Sequence, residues 1–230
     1  MLCRIADLIV EVPVAGGMDE RCRDYLIEGE MTPDIIIKEE EYSVGRWKGL
    51  EPHYVPYMDS GWLFYGRLLR FGGLMLHSSA LELDGGAYLF SGPSGIGKST
   101  HTSLWMQEYP EARLFNDDKP ALRLIDGVWY AYGTPWAGKH GININMKTPL
   151  RGICFLRRGS ENSIRRLSSL EAVAAIITQT MNRFKTAEGL SSMTTLVDKL
   201  VREIPVWEIT CLPDAEAAHL SHDTMIKGDK

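Results

Sequence analysis

The 230-residue chain has no apolar run long enough to cross a membrane, and none of its four cysteines, Cys3, Cys22, Cys154 and Cys211, belongs to a C-x-x-C pair. A spanning helix needs about 20 consecutive apolar residues, and the first apolar stretch, residues 5–14, is already interrupted by Asp7 and Glu11. That interruption also argues against a targeting signal core. The scattered cysteines exclude a zinc ribbon or a disulfide framework, so a reducing cytoplasm is the expected compartment. Positive charge is not in excess either. With 25 Lys and Arg against 30 Asp and Glu, the net charge is -5 and the pI about 5.7, which excludes duplex nucleic acid and anionic membrane as main partners. The six tryptophans lack the basic interleaving of a single-strand nucleic-acid platform. Neither an internal repeat nor a low-complexity linker is present. At 44% hydrophobic and 24% charged residues, the chain can bury one sizeable core with a small appended lobe.

Period and punctuation give a coarse element order. Residues 5–12 and 34–38 read as strands of an N-terminal β-rich lobe. Residues 60–71 suit an amphipathic helix, with Asp59 or Ser60 as its cap and Gly72-Gly73 as its end. Strands over 76–83 and 87–90 are separated by Asp84-Gly85-Gly86, and strands over 121–125 and 128–132 by Asp126-Gly127. Asp-Gly is a hairpin signal because both residues tolerate positive φ, so the sheet should be mixed. Further along, 152–156 reads as a buried strand, and Ser168 with Glu171 forms a capping box opening a helix to about Met181. Residues 183–192 read as a polar connection, 191–203 as a helix, 206–211 as a strand, and Asp214 as the cap of a last helix.

The most specific signal is Gly92-Pro93-Ser94-Gly95-Ile96-Gly97-Lys98-Ser99, which satisfies G-x-x-x-x-G-K-[ST] between a predicted strand and a predicted helix running from Thr100 to Tyr109. A triphosphate held by successive backbone N–H groups at a helix N-terminus needs a loop poor in side chains, which glycine supplies. Lys98 can then place a cation on the β- and γ-phosphates, and the Ser99 hydroxyl can ligate a bridging Mg2+. ATP is the expected nucleotide, with GTP not excluded.

Such a site also needs an acid near the metal. Asp117 and Asp118 follow Arg113-Leu114-Phe115-Asn116, one helix after the loop. By composition alone, residues 117–120 are a solvated turn. With the loop upstream, one carboxylate can hold the metal and the other accept a proton from an attacking hydroxyl, a division that suits a kinase. An N-K-x-D guanine signature and an L-S-G-G-Q transporter signature are both lacking.

Together these residues resemble the HPr kinase/phosphorylase and phosphoenolpyruvate carboxykinase superfamily, over roughly residues 77–156. The landmarks are Leu76-His77 before the first hairpin, the stretch from Ser94 to Ser99, the Asp117-Asp118 pair, and Arg151-Gly152-Ile153. The resemblance implies that Lys98 contacts phosphates, Ser99 and Asp118 serve the metal, and Asp117 is the base toward a serine hydroxyl. His77 and Arg151 are second-tier candidates. So are Lys139 and His140, in a glycine-flanked stretch, residues 133–140, that is similar to the same group. Two departures stand out. Pro149 occupies the place of a metal-binding Glu, and residues 154–158 replace a glycine-rich stretch, which counts against HPr itself as the substrate. The paired arginines, Arg157-Arg158 and Arg165-Arg166, offer some attraction to an acidic peptide or phosphate, although a solvated hairpin is the plainer reading.

The sequence therefore predicts an α/β fold, a P-loop-containing mixed sheet flanked by helices, with residues 1–72 as an accessory lobe and 73–230 as the nucleotide-binding core. The expected activity is ATP- and Mg2+-dependent phosphoryl transfer to a hydroxyl, Ser by preference, of a protein or peptide, with self-association open. A carboxykinase-like or small-metabolite kinase, or a non-catalytic nucleotide-binding partner protein, remains the alternative.

Overall fold

The computed structural model describes residues 1–138, 140–181 and 186–227. The chain starts with an antiparallel hairpin, β1 (Leu2–Ile5) and β2 (Leu8–Glu11), where the apolar pattern predicted one continuous strand. The turn is made by Ala6 and Asp7 with φ of 51° and 60°. The Asp7 carboxylate accepts from Tyr132 Oη at 2.7 Å and Lys147 Nζ at 2.6 Å, so an acid read as a strand residue is a turn residue with distant partners. A short helix α1 (Met18–Arg21) follows, and β3 (Ile35–Ile36), shorter than the predicted strand, pairs parallel to β2.

Helix α2 (Val55–Leu68) begins before the predicted start, and Asp59 and Ser60 lie inside it rather than capping it. Pro56, in the first turn, has a fixed φ already suited to a helix. Asp59 is fully buried and serves a tertiary role: Trp47 Nε1 donates to it at 2.7 Å, and Arg46 Nη1 and the Ser43 backbone N–H donate as well. As predicted, Gly72 closes this helical segment, in the left-handed region at φ 67°.

Nine strands among the described residues build one mixed sheet. Its members are β4 (Gly73–Met75), β5 (Ser78–Leu83), β6 (Gly86–Ser91), β7 (Arg113–Asp118), β8 (Ala121–Ile125), β9 (Val128–Tyr132), β10 (Lys147–Arg158), β11 (Ser163–Arg166) and β12 (Val206–Cys211). Both Asp-Gly turns form the predicted hairpins, β5 with β6 and β8 with β9, using positive φ at Asp84, Gly85, Asp126 and Gly127. β10 is much longer than the apolar run that announced it. It changes neighbours along its length, from β9 at its start to β6 and β12 further on, both parallel, so its charged ends need no apolar face.

Helices α3 (Lys98–Glu108) and α6 (Ala215–Lys227) pack together on one face, burying Trp105 and Ala218 against Phe90, Leu156 and Ile209. On the other face α4 (Ser169–Gln179) and α5 (Ala187–Glu203) bury Ile176, Val197 and Leu200 against Leu89, Ile153 and Phe155. The Ser168–Glu171 capping box forms as predicted, and Asp214 accepts from Ala217 N at 2.9 Å at the start of α6. α5 starts inside the predicted polar connection, capped by Thr186; residues 182–185 lie outside the described residues. A third apolar cluster joins the N-terminal hairpin and α2 to Ala121, Tyr132 and Trp136. Among the described residues, no helix is long and apolar enough to cross a membrane.

Candidate functional site

The glycine loop leaves β6 after Ser91 and enters α3 at Lys98. Its glycines Gly92, Gly95 and Gly97 have φ of 145°, 77° and 119°, values at which a side chain is strained. At Gly92 a Cβ would also lie 3.2 Å from Ile96 Cγ2. No side chain among the described residues caps the start of α3, so the first N–H groups of the helix stay available to an anion. Pro93, Ser94, Gly95, Ser99 and Thr100 are exposed, with Ile96 and Gly97 partly covered.

Lys98 turns inward and is 8% exposed. Its Nζ lies 3.1 Å from Gly92 O, 3.5 Å from Pro93 O and 3.1 Å from His77 Nε2. Burial lowers its pKa, and the charges of Asp118 and Asp117 oppose that shift. The lysine is thus held by loop carbonyls next to two carboxylates.

Asp117 and Asp118 end β7, beside the start of β5. Asp117 is buried; its Oδ1 accepts from Ser79 Oγ at 2.5 Å and its Oδ2 from Ser99 Oγ at 3.3 Å. Asp118 has φ 96°, an uncommon value for a residue with a side chain, and backbone strain of this kind gathers at functional sites. Its carboxylate lies 2.9 Å from His77 Nε2 and pairs with Lys119 Nζ. Burial works to raise its pKa, but the hydrogen bond from His77 and the Lys119 charge outweigh it and hold the carboxyl far below the usual range. The sequence expectation joined Ser99 with Asp118. Here Ser99 faces Asp117, and Asp118 belongs to His77 and Lys119.

Several residues that sequence reasoning passed over complete the site. Gln179 Oε1 lies 3.1 Å from His77 Nδ1, at the end of a helix 102 residues away, and no local pattern announces it. Ser79 is two positions after His77, and strand alternation would have placed both on one face. Gly138 N donates to Asp117 O at 2.7 Å, and a Cβ at Gly138 would lie 3.2 Å from Asp118 Cβ. The segment before it is fastened from two sides. Buried Asn116 donates to Thr134 O at 3.0 Å, while the Tyr57 hydroxyl of α2 meets both Ala137 O and Ala137 N at 2.7 Å.

Two cavities flank the loop where β10 ends. One, of about 640 Å³, runs from Gly92 and Pro93 along α4 to Gln179; the other, of about 490 Å³, lies against Gly97, Thr100 and Leu212. Arg158 borders both, and its Nη2 donates to Gly95 O at 2.5 Å. Its neighbour Arg157 pairs with Glu208, and Arg165 with Glu171 and Glu208. The arginines that suggested an acid-binding patch are thus largely engaged by the chain's own groups.

Not every candidate converges. Arg151 is exposed and lies against Gly86, whose Cβ would come 2.6 Å from Arg151 Cγ. That is the entry end of β6, whereas the loop leaves from its exit end. His140 is exposed in a turn closed by Gly141 N to Gly138 O at 3.1 Å, and Lys139 lies outside the described residues.

No protein-family model and no curated protein matches this chain. Among solved structures, the HPr(Ser) kinase/phosphatase from Coxiella burnetii is similar, with 12% identity and a TM-score of 0.38 over 66% of this chain and 97% of that one. A likeness that loose fixes neither chemistry nor substrate.

Proposed function

We propose that this protein is an ATP- and Mg2+-dependent kinase that phosphorylates a hydroxyl, a serine of a protein or peptide by preference, with residues 92–99 as its phosphate-binding loop. The observation that carries the reading is the meeting of Lys98 Nζ, Ser99 Oγ and both carboxylates at the mouth of a loop that opens an uncapped helix. Backbone amides, Lys98 and the helix start favour polyphosphate. Among the described residues no three His, Cys, Asp or Glu side chains converge as a metal cage, and Mg2+ needs none, since one or two carboxylates with phosphate oxygens and water suffice. Ser99 and Asp117, hard oxygen donors 3.3 Å apart, fit that ion, which when bound supplies charge neutralisation to the transferring phosphoryl group.

Asp118 then aligns the attacking hydroxyl by accepting its hydrogen bond, with His77 fixing the carboxylate. A carboxylate of low basicity serves here because phosphoryl transfer is mostly positioning and electrostatics. The cavity beside Pro93 that ends at Gln179 gives a polypeptide acceptor room to approach. Residues 1–72 serve as an accessory lobe whose α2 buttresses the segment behind the acids.

The test is transfer of labelled γ-phosphate from ATP to serine-containing peptides and to cell lysate, alongside binding of Mg-ATP by calorimetry. Asp118→Asn should abolish transfer and keep nucleotide affinity, whereas Asp117→Asn should weaken the Mg2+-dependent part of binding. The reverse pattern would return the metal to Asp118 and the base to Asp117. Label appearing only on small metabolites would favour a metabolite kinase. Binding without transfer to any acceptor would favour a non-catalytic partner protein.

A further inference from the structure

The paired arginines at the end of β10 and in β11 take no part in the chemistry above, and the sheet register brings one from each pair to the wall of the cavity that ends at Gln179. Strand alternation sends Phe155 and Arg157 to the same face of β10, and Phe155 packs in the core cluster beneath α4 and α5. Across the sheet Phe155 pairs with Glu208, and Glu208 with Arg165, so Arg157, Glu208 and Arg165 all face α4. From the other side α4 presents Glu171, Ala174, Ala175 and Thr178, whose spacing keeps them on one side of the helix. The cavity is a trough with short side chains along one wall. Its charged groups gather toward Glu171, and its other end meets the chain of contacts from Gln179 through His77 to Asp118.

In this trough the acceptors are occupied and donors remain. Both oxygens of Glu208 are taken, Oε2 by Arg157 Nε and Oε1 by Arg165 Nη2 at 3.0 Å. Both oxygens of Glu171 are taken too, Oε1 by Arg165 Nη1 at 2.9 Å and Oε2 by the Ser168 backbone and hydroxyl. Arg157, by contrast, uses only its Nε among the described residues, and its side chain is 67% exposed, so the N–H groups of its two terminal nitrogens are open to a ligand. With Arg158 at the rim, three arginines meet two glutamates around the trough, an excess of positive charge on a chain whose net charge is -5. A carboxylate fits that surplus of donors and an ammonium does not. The stretch of α4 from Glu171 to Gln179 is about 12 Å long at about 1.5 Å per residue, the length of about four residues of extended chain. We infer that the acceptor is an acidic polypeptide, with an aspartate or glutamate about four residues from the phosphorylated serine held by Arg157 in this trough. The inference rests on the protein-kinase reading of the site and adds to it the chemical class of the acceptor.

The test uses the full chain, labelled ATP, Mg2+ and serine peptides that differ only in carrying Asp, Ala or Lys at the fourth residue to one side or the other of the serine. On one of the two sides kcat/KM should be at least about tenfold higher for the Asp peptide than for the Ala peptide, and lowest for Lys. Salt raised from about 0.05 M to about 0.5 M should shrink that preference in the native protein. Arg157→Ala should bring the Asp-to-Ala ratio to about one, and Arg157→Glu should turn the preference toward Lys. Serines labelled in a cell lysate should carry the same acid. Equal kcat/KM for the three peptides, an Asp preference that survives Arg157→Ala, labelled serines without the acid, or a loss of Mg-ATP affinity in Arg157→Ala that matches its loss of transfer would overturn the inference and leave the kinase reading intact. Transfer to none of the peptides and to no protein of the lysate would overturn the kinase reading and this one with it.

Discussion

Lowering the pH should destabilise the protein through one histidine at the root of the glycine loop. His101 is in the first turn of α3, 3% exposed, with Nε2 at 2.9 Å from Ser221 Oγ on α6 and the Phe90 ring at 4.7 Å. Burial pushes its pKa down from 6.5 to about 4. Above the unfolded value of 6.5 both states are neutral and the folded protein keeps its full stability. As pH falls, the unfolded chain takes up the proton first, so stability drains away until the folded imidazole also titrates near 4. At about 1.4 kcal/mol per pH unit, the loss between about pH 7 and about pH 5 comes to roughly 2 kcal/mol. Urea unfolding at both pH values should show that loss in the native protein and not in His101→Gln, which keeps a polar partner for Ser221. Carboxylates titrate alike in both proteins and cancel in the comparison. A difference between the two proteins below about 0.5 kcal/mol would refute the account of a histidine kept neutral by burial.

Other outcomes follow from single positions. Asp59→Ala strands the Arg46 guanidinium and the Trp47 and Ser43 N–H groups, and thermal denaturation should show a loss of about 3 kcal/mol. Gly133→Ala would put a Cβ 1.8 Å from the Ile144 carbonyl oxygen; a cost of about 3 kcal/mol or more, read as lost soluble yield, is expected. Gly138→Ala meets only ordinary to tight contacts, at 3.2 Å from Asp118 Cβ and 3.6 Å from Asp117 Oδ2. It should slow phosphoryl transfer about ten- to a hundredfold by displacing the acids, with the melting temperature little changed. Unfolding in step with the lost activity would contradict that reading.

What the sequence discloses and what it hides divide by range along the chain. The loop, both Asp-Gly hairpins, the Ser168 cap and the strands β8, β9 and β12 rest on neighbours a few residues apart, and all were readable. Asp59 misled because a buried acid and a capping acid look alike until the residues at 43–47 fold back onto it. Gln179 and Tyr57 reach the site from remote elements, and no spacing rule connects them to it. Arg158 looked like a solvated charge, yet its guanidinium holds a loop carbonyl, because the end of β10 is set by the strand's parallel pairing with β6 rather than by its own charges.

The hydroxyl of Tyr57 takes both polar groups of one peptide residue, Ala137, and the indole of Trp136 rests where Gly61 leaves space on α2. The wall behind the two acids is therefore clamped by a helix that lies 80 residues earlier in the chain. Anything that grips or shifts that helix would be felt at Asp117 through Gly138 without touching the glycine loop, which makes the N-terminal third a lever on the position of the acids as well as a support for them.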